Sequence, residues 1–276
     1  MASPSNSLSE IPLSEWPKLR QLYANQKLSS CAFNMLQTTI DSIQKNPLLD
    51  VYIYALNGDW SDGTFIMDDH AFITFNTLSD NQKRLLAALN CLDINANYLF
   101  YGFPERLLPT VKQYFSDSSL KFEECNLVSS LWYHIPREKI EQFVLESPPG
   151  VTFTSLEPIH AETINDIWPH KMDDSEKFIE RLIRYNEGVG AFNADGQLMA
   201  WCLQIPIGCI GMLQVVEEHK HKGLGSLVVR HLSKKLAAKR TEVLVPVVFE
   251  NMASQSLFEN LNARIVDNVY WAWKDE

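Results

Sequence analysis

The chain has 276 residues, a formal net charge of −10, and 46% hydrophobic against 21% charged residues. That is ordinary globular composition, too apolar for a long disordered region, and at roughly 100–200 residues per domain the length fits two domains or one large one. The acidic balance excludes the broad positive field that non-specific nucleic-acid binding or adsorption to an anionic membrane requires. Neither nucleic acid nor membrane is expected as a partner, and an anionic ligand has to be met by a local basic or amide site.

The cysteines, Cys31, Cys91, Cys125, Cys202 and Cys209, are odd in number, scattered and without a CxxC pair. They suit reduced thiols better than a disulfide framework, and no Cys or His spacing suggests a metal. Residues 1–10 are Ser-rich and lack Arg and Lys, unlike a signal peptide or a mitochondrial presequence. No apolar run approaches the ~20 residues that span a bilayer. The expectation is a cytoplasmic protein with no metal.

In chain order, residues 15–23 and 32–43 read as helices. Residues 51–56 form a β-rich run ending at the turn dipeptide Asn57-Gly58. Residues 64–67 and 71–75 read as strands, and 79–89 as a helix capped by Ser79 with Gln82 three residues on. A strand is expected over 98–103, a helix opened by Pro104 running to Tyr114, and a strand pair over 121–124 and 127–135. Pro136 opens a charged helix over 137–145, and Ser147-Pro148-Pro149-Gly150 follows as the best linker in the chain. The boundary is placed within 136–150, giving domains 1–140 and 141–276.

The second half repeats the order: a strand over 151–156, helices over 161–168 and 175–185, and strands over 189–193 and 198–206 around the turn Ala194-Asp195-Gly196. A strand over 209–216 precedes a long helix over 224–239, with Leu224, Leu227, Val228, Leu232 and Leu236 on one face. A strand over 243–249, a helix over 253–261 and a strand over 264–273 complete a mixed α/β chain whose halves hint at internal duplication.

The chemistry concentrates at Lys220-His221-Lys222-Gly223-Leu224-Gly225. A strand ends, a charged loop follows, and two glycines open a helix. The first helical N–H groups have no intrahelical partner, the helix dipole adds positive charge, and glycine lets a phosphate approach the backbone. A βα turn with two incidental glycines would look alike. A Walker loop is excluded because GxxxxGK[ST] is absent, and a dinucleotide fingerprint lacks its third glycine at Val228.

The loop resembles the [QR]xxGx[GA] pyrophosphate loop of the GNAT acyltransferase superfamily, with Lys in first position. Asn251, Ser254, Leu257-Phe258 and Leu261-Asn262-Ala263 resemble its NxxAxxLYxxxGF segment, and the ending Tyr270-Trp271-Ala272-Trp273 is similar to glycine N-acyltransferases. The resemblance covers about residues 150–276. It implies a GNAT fold there, preceded by a degenerate GNAT-like domain without a CoA loop.

The resemblance also implies roles. Leu213, Gln214 and Val215 lie on the strand whose backbone meets pantetheine. Lys220, His221, Lys222, Gly223, Leu224, Gly225 and Ser226 line the pyrophosphate, and Asn251 contacts the CoA arm or caps its helix, or both. Two departures stand out. Phe258 occupies the place of a Tyr that protonates the leaving thiolate, and phenylalanine has no proton to give. Cys209 stands near the place of a Glu base; a thiol serves there only if its pKa is lowered, so an inert strand residue is the better reading. His219 and His221 read as solvated, Glu217 and Glu218 as braces for the lysines, Trp168 and Trp201 as core, and Lys234-Lys235 and Lys239-Arg240 as a solvated face.

The expected activity is transfer of an acyl group from acyl-CoA to a small amine, glycine or another amino acid, by direct attack. The alternatives are a CoA-binding protein without catalysis and a protein N-acetyltransferase. Family resemblance also admits a mitochondrial location, although no presequence is evident.

Overall fold

In a computed structural model, which describes residues 6–70, 72–93, 96–118 and 125–274, the period-two apolar segments assemble into two sheets. The first half supplies β1 (Leu8–Glu10), β2 (Val51–Leu56), β3 (Phe65–Asp69), β4 (Phe72–Asn76), β5 (Leu99–Pro104) and β6 (Cys125–Ile135). Its helices are α1 (Trp16–Leu22), α2 (Lys27–Ser30), α3 (Ala32–Lys45), α4 (Lys83–Leu89), α5 (Leu108–Asp117) and α6 (Arg137–Glu141). The second half supplies β7 (Thr152–Thr154), α7 (Ala161–Ile167), α8 (Ser175–Tyr185), β8 (Gly188–Phe192), β9 (Leu198–Gln204) and β10 (Ile210–Val215). It continues with α9 (Leu224–Ala238), β11 (Val243–Val248), α10 (Met252–Asn260) and β12 (Arg264–Lys274).

One sheet runs β10-β9-β8-β7, and the other runs β1-β2-β3-β4-β5-β12-β6-β11. The larger sheet interleaves the halves. The last strand of the chain, β12, lies between β5 and β6, and β6 of the first half lies between β12 and β11. Each half thus lends a strand to its neighbour. The β4–β5 pair is parallel and the other paired strands are antiparallel. Residues 127–135 form a strand as expected, but its partners are β11 and β12; the partner expected over 121–124 lies outside the described residues.

Two helix starts differ from expectation. Ser79 does not cap α4: Gln82 takes the N-cap position at φ 49°. The Gln82 side chain is held elsewhere, donating to the Arg106 carbonyl at 2.9 Å and accepting from Thr110 at 2.5 Å. Pro104 ends β5 instead of opening a helix; a 3-10 turn over Glu105–Leu107 intervenes and α5 starts at Leu108, with Pro109 in its first turn.

Beyond the exchanged strands, the turn between β9 and β10 is driven into the first half. Ile205, Ile207 and Cys209 are buried in the same apolar cluster as Tyr23, Met35 and Trp132. Two glycines make room for this insertion. A Cβ on Gly102, at φ +69°, would stand 2.8 Å from Ile207 Cδ1, and one on Gly208, at φ +75°, would stand 2.6 Å from the Asn34 carbonyl carbon. Asn34 closes the joint by donating to the Glu242 carbonyl at 2.7 Å and accepting from the Glu242 amide at 3.2 Å. On the other side of the joint the Arg181 guanidinium forks onto the buried Asp69 carboxylate, with Nη2 to Oδ2 at 2.9 Å.

The halves therefore unfold as one unit. Ile207→Ala removes a fully buried side chain from the joint and is expected to lower stability by about 2–5 kcal/mol. The transition stays single by both far-ultraviolet circular dichroism and tryptophan fluorescence in urea. Two separate transitions in the unsubstituted chain would show that the shared strands do not couple the halves.

Candidate functional site

The edge strands of the two sheets, β10 and β11, come together without being paired, and a cleft of about 190 Å³ opens between them. Its walls are Ile210, Gly211, Met212, Leu213 and Gln214 on β10 and Val245, Pro246, Val247 and Val248 on β11. The helical crossover through α9 is the connection that joins such neighbours. An unpaired strand edge is a row of free backbone donors and acceptors, able to take an extended amide-bearing chain as an added strand.

The β10 edge carries a bulge. Gly211 pairs with Leu203 and Gln214 with Trp201, so Met212 and Leu213 stand opposite Cys202 alone. Met212 takes φ 50°, a left-handed conformation uncommon for a residue with a side chain. The extra residue drops out of the ladder and leaves backbone amide at the cleft wall. Strain of this kind persists only where the surroundings enforce it. Here the β9–β10 turn, anchored in the first half, holds the strand on one side of the bulge.

Below the bulge, β10 leads through a 3-10 turn, Glu217–His219, into the glycine loop. His221 and Gly223 both take left-handed backbone, at φ 61° and 78°, and Gly223 is the N-cap of α9. The earliest hydrogen bond into α9 is Leu227 N–H to the Gly223 carbonyl at 3.2 Å, so the amides of Leu224, Gly225 and Ser226 are not used by the helix ladder. Gly225 sets the closeness of three elements: a Cβ there would lie 3.2 Å from Leu257 of α10 and 3.3 Å from Val215 of β10.

The lysines are braced. Lys220 Nζ meets Glu217 Oε2 at 2.5 Å, and Lys222 donates to the Glu218 carbonyl at 2.9 Å. The exposed Lys220–Glu217 pair adds little stability by itself, but it holds the loop's charge near the helix start. The lysines farther along α9 tie elements together instead of standing free. Lys234 donates to the Glu141 carbonyl and Lys235 to Ser155 Oγ, while Lys239 reaches Glu187 at 2.8 Å and Asp41 at 3.3 Å.

Of the residues singled out in the sequence, Leu213, Gln214, Asn251 and Phe258 line the cleft, and Val215 packs on Gly225 at its lower end. Asn251 caps α10, its side chain accepting from the Ser254 amide at 3.0 Å. Phe258 is buried, with its ring 6.2 Å from that of Tyr133. Trp201 is fully buried and Trp168 partly so, and both reach the cleft. His219 and His221 sit on the loop, outside the cleft lining.

Cys209 is not at the cleft either. It is fully buried in the joint, its Sγ 3.7 Å from the Ile207 carbonyl. Burial pushes its thiol well up from the usual range, and Cys31 nearby adds to the shift. A neutral buried thiol takes no proton from an amine. Among the cleft residues that sequence reasoning missed are the bulged Met212 and His170, the latter on the loop between α7 and α8.

Among the described residues of the first half, the corresponding strands are paired. Where the cleft opens in the second half, β4 and β5 are hydrogen-bonded at Phe72–Leu99 and Ile73–Phe100. Beyond that, the Arg106 guanidinium reaches Asn76 Oδ1 at 2.6 Å and the Thr77 carbonyl.

The cleft thus joins a bulged edge strand, an unpaired partner strand and a glycine-opened helix between them. A family model described as FR47-like protein matches residues 188–272. The chain is 28% identical over 120 residues to human glycine N-acyltransferase-like protein 2, a match spanning 43% of this chain and 41% of that relative, so less than half of the relative's length is covered. Among solved structures, a Drosophila protein superposes with a TM-score of 0.83 at 18% identity, covering 97% of this chain and 98% of that one. A tandem GNAT protein from the clavulanic acid biosynthesis pathway gives 0.56 at 13%, over 97% and 98%. A GCN5-related N-acetyltransferase from Sphaerobacter thermophilus gives 0.52 at 11%, over 99% and 96%. At these identities the structural likeness is one of fold. The chain has the GNAT fold, and its residues 188–272 are similar to the FR47-like family. Among the described residues no helix is long and apolar enough to cross a membrane.

The position of Cys209 generates a prediction. Cys209→Glu would place a carboxylate in an apolar joint with no cation provided for it, and is expected to destabilise the chain by more than about 3 kcal/mol. Urea denaturation reads the loss. A variant as stable as the parent would mean that the position reaches solvent.

Proposed function

We propose that the chain is an N-acyltransferase that takes an acyl group from acyl-CoA and passes it to a small amine, with glycine the leading acceptor. The observation that carries this reading is the continuity of one surface: the bulge at Met212, the free β10 edge and the unpaired amides of Leu224, Gly225 and Ser226 follow one another along the chain. Pantetheine amides would pair with the backbone of Leu213 and Val215. The pyrophosphate would meet the helix start, with Lys220, His221 and Lys222 around it and Asn251 beside the arm.

The thioester carbonyl would lie against the amides freed at the bulge. Such donors are fixed before charge develops on the oxygen, which is where electrostatic stabilisation of acyl transfer is most effective. The side chains lining the cleft around that point are mainly apolar, which strengthens those hydrogen bonds. Holding amine and thioester together supplies a further part of the rate. The glycine acceptor is supported by likeness to glycine N-acyltransferase-like protein 2 alone. The first half, its strands paired and its gap taken by Arg106, would hold no second CoA.

Phe258 and the buried Cys209 favour a second reading, a CoA-binding protein without turnover, because neither can move a proton. A panel of amines incubated with acetyl-CoA separates the two: binding with no free thiol released under any acceptor supports the second.

Gly223→Glu tests the shared basis of both readings. A side chain there meets no atom within 4 Å but sits at φ +78°, so it carries both backbone strain and a negative charge at the pyrophosphate position. Gly196→Glu, also with open space and at φ +77° but in the β8–β9 turn, controls for the strain. By calorimetry, CoA affinity should fall at least about tenfold in the first variant, a cost of about 1.4 kcal/mol, and stay unchanged in the second. Equal affinity in both would remove the loop from the site. A stoichiometry of two CoA per chain would refute the assignment of the first half.

A further inference from the structure

Direct attack on a thioester requires a free amine, and an amine is mostly protonated near neutral pH. A base at the cleft would raise the share of bound amine that is free to attack. Among the described residues lining the cleft, one side chain is ionisable: His170.

Its position follows from local chemistry. Pro169 cannot continue α7, and Trp168 before it takes the extended conformation (ψ 121°) that a following proline imposes. The chain then turns, the Lys171 amide donating to the Trp168 carbonyl at 3.2 Å. That turn sets the His170 ring edge-on to Trp168, centroids 5.9 Å apart at 76°. Trp168 in turn stacks on Phe178, and Phe178 packs against Phe72 of the first half at 5.3 Å. A ladder of rings, rooted in the other half of the molecule, holds the loop over the cleft.

We propose that His170 is the catalytic base of the acyl transfer, taking a proton from the acceptor ammonium at the mouth of the cleft; the proposal rests on the acyl-CoA reading above. The imidazole is exposed and makes no hydrogen bond within the described residues, so it is open both to an incoming amine and to solvent. It shares the cleft wall with the bulge at Met212 and Leu213, where the thioester carbonyl would lie.

Protons and electrons balance as follows. The acceptor ammonium gives a proton to a ring nitrogen of His170, which releases it to water. The amine nitrogen then bonds to the thioester carbon, the C–S bond breaks with its electron pair going to sulfur, and the second N–H proton passes through solvent to the thiolate. Phe258 gives no proton, and in this arrangement none is required of it.

The charged groups around His170 are few. On its own loop and α7, Lys171 is paired with Asp166 at 3.0 Å. Asp173 follows on the loop, and Asp174 is paired with Lys177 of α8 at 2.7 Å. The residues facing it from β10, β11 and α10 across the cleft are uncharged.

The test uses the full chain with acetyl-CoA and a panel of glycine, other amino acids, polyamines and a peptide amine, followed by thiol release. For whichever acceptor turns over, His170→Gln is expected to lower kcat/KM at pH 7 by about 10²-fold or more. The acidic limb of the pH–rate profile should disappear, while CoA affinity by calorimetry stays unchanged. Added imidazole should restore part of the rate to His170→Ala, because the site is open to solvent. An unchanged rate and profile in His170→Gln overturns the role of His170 and leaves the acyl-CoA reading standing. A parent chain that binds CoA but turns over no acceptor also overturns it. A parent chain that binds no CoA overturns the acyl-CoA reading itself.

Discussion

The antiparallel pairing of β6 with β12, running from Arg264 opposite His134 to Lys274 opposite Cys125, is the seam on which the rest of the molecule depends. It joins a strand from before the linker to the last strand of the chain. Because β12 also pairs with β5 and β6 also pairs with β11, neither half completes its own sheet. Breaking the seam would expose two long edges at once, a form that folded proteins avoid. The cleft is a consequence of where this sheet stops. It ends at β11, the smaller sheet ends at β10, and the cleft is the space between two ends.

The joint formed by Ile205, Ile207 and Cys209 acts on the same gap from the other side. These residues sit at the end of β9, in the turn after it and just before β10, and the first half grips them through Gly102, Asn34 and the surrounding core. With the start of β10 fixed there and its far end held by the contact of Val215 with Gly225, the extra residue at Met212–Leu213 has nowhere to relax. The left-handed Met212 is thus maintained by packing on both sides. On the proposed reading this would give the first half, whose own strand ends Arg106 bridges, a role in the chemistry. It sets the geometry of the strand that would stabilise the oxyanion, and through Phe72 and Phe178 it supports the loop that carries His170.

Much of this was legible in the sequence because the signals are local. Gly223 and Gly225 after a strand read as the opening of a helix, and α9 starts there; the strand and helix segments follow from periodicity and turn dipeptides. What could not be read there depends on distant partners. Nothing near residues 125–135 says that their neighbours will be residues 243–248 and 264–274. Ser79 is a good N-cap by type, yet Gln82 is held by Arg106 and Thr110, which pull the helix start three residues on. Met212 carries no sign of positive φ, since methionine has no preference for it. The GNAT resemblance led to Cys209 as the base position, and burial in the joint explains why a thiol rather than a carboxylate is tolerated there.

Burial also bears on the departures at Cys209 and Phe258 from the pattern that the sequence resembles. A carboxylate at position 209 would need water or a cation, and the insertion of the β9–β10 turn into the first half provides neither. Coupling the halves tightly and keeping an acidic base at that position are therefore incompatible demands on one turn. If coupling is kept, proton acceptance has to move to a surface that still sees solvent. The loop between α7 and α8 is such a surface: it overhangs the cleft, and its own ring ladder gives it the rigidity that a strand would otherwise supply. On the proposed reading, an exposed imidazole there would exchange its proton with water on every cycle. The same access to water would let the leaving thiolate be protonated without a tyrosine, so both departures, Cys209 and Phe258, would follow from one relocation of proton transfer to the open mouth of the cleft.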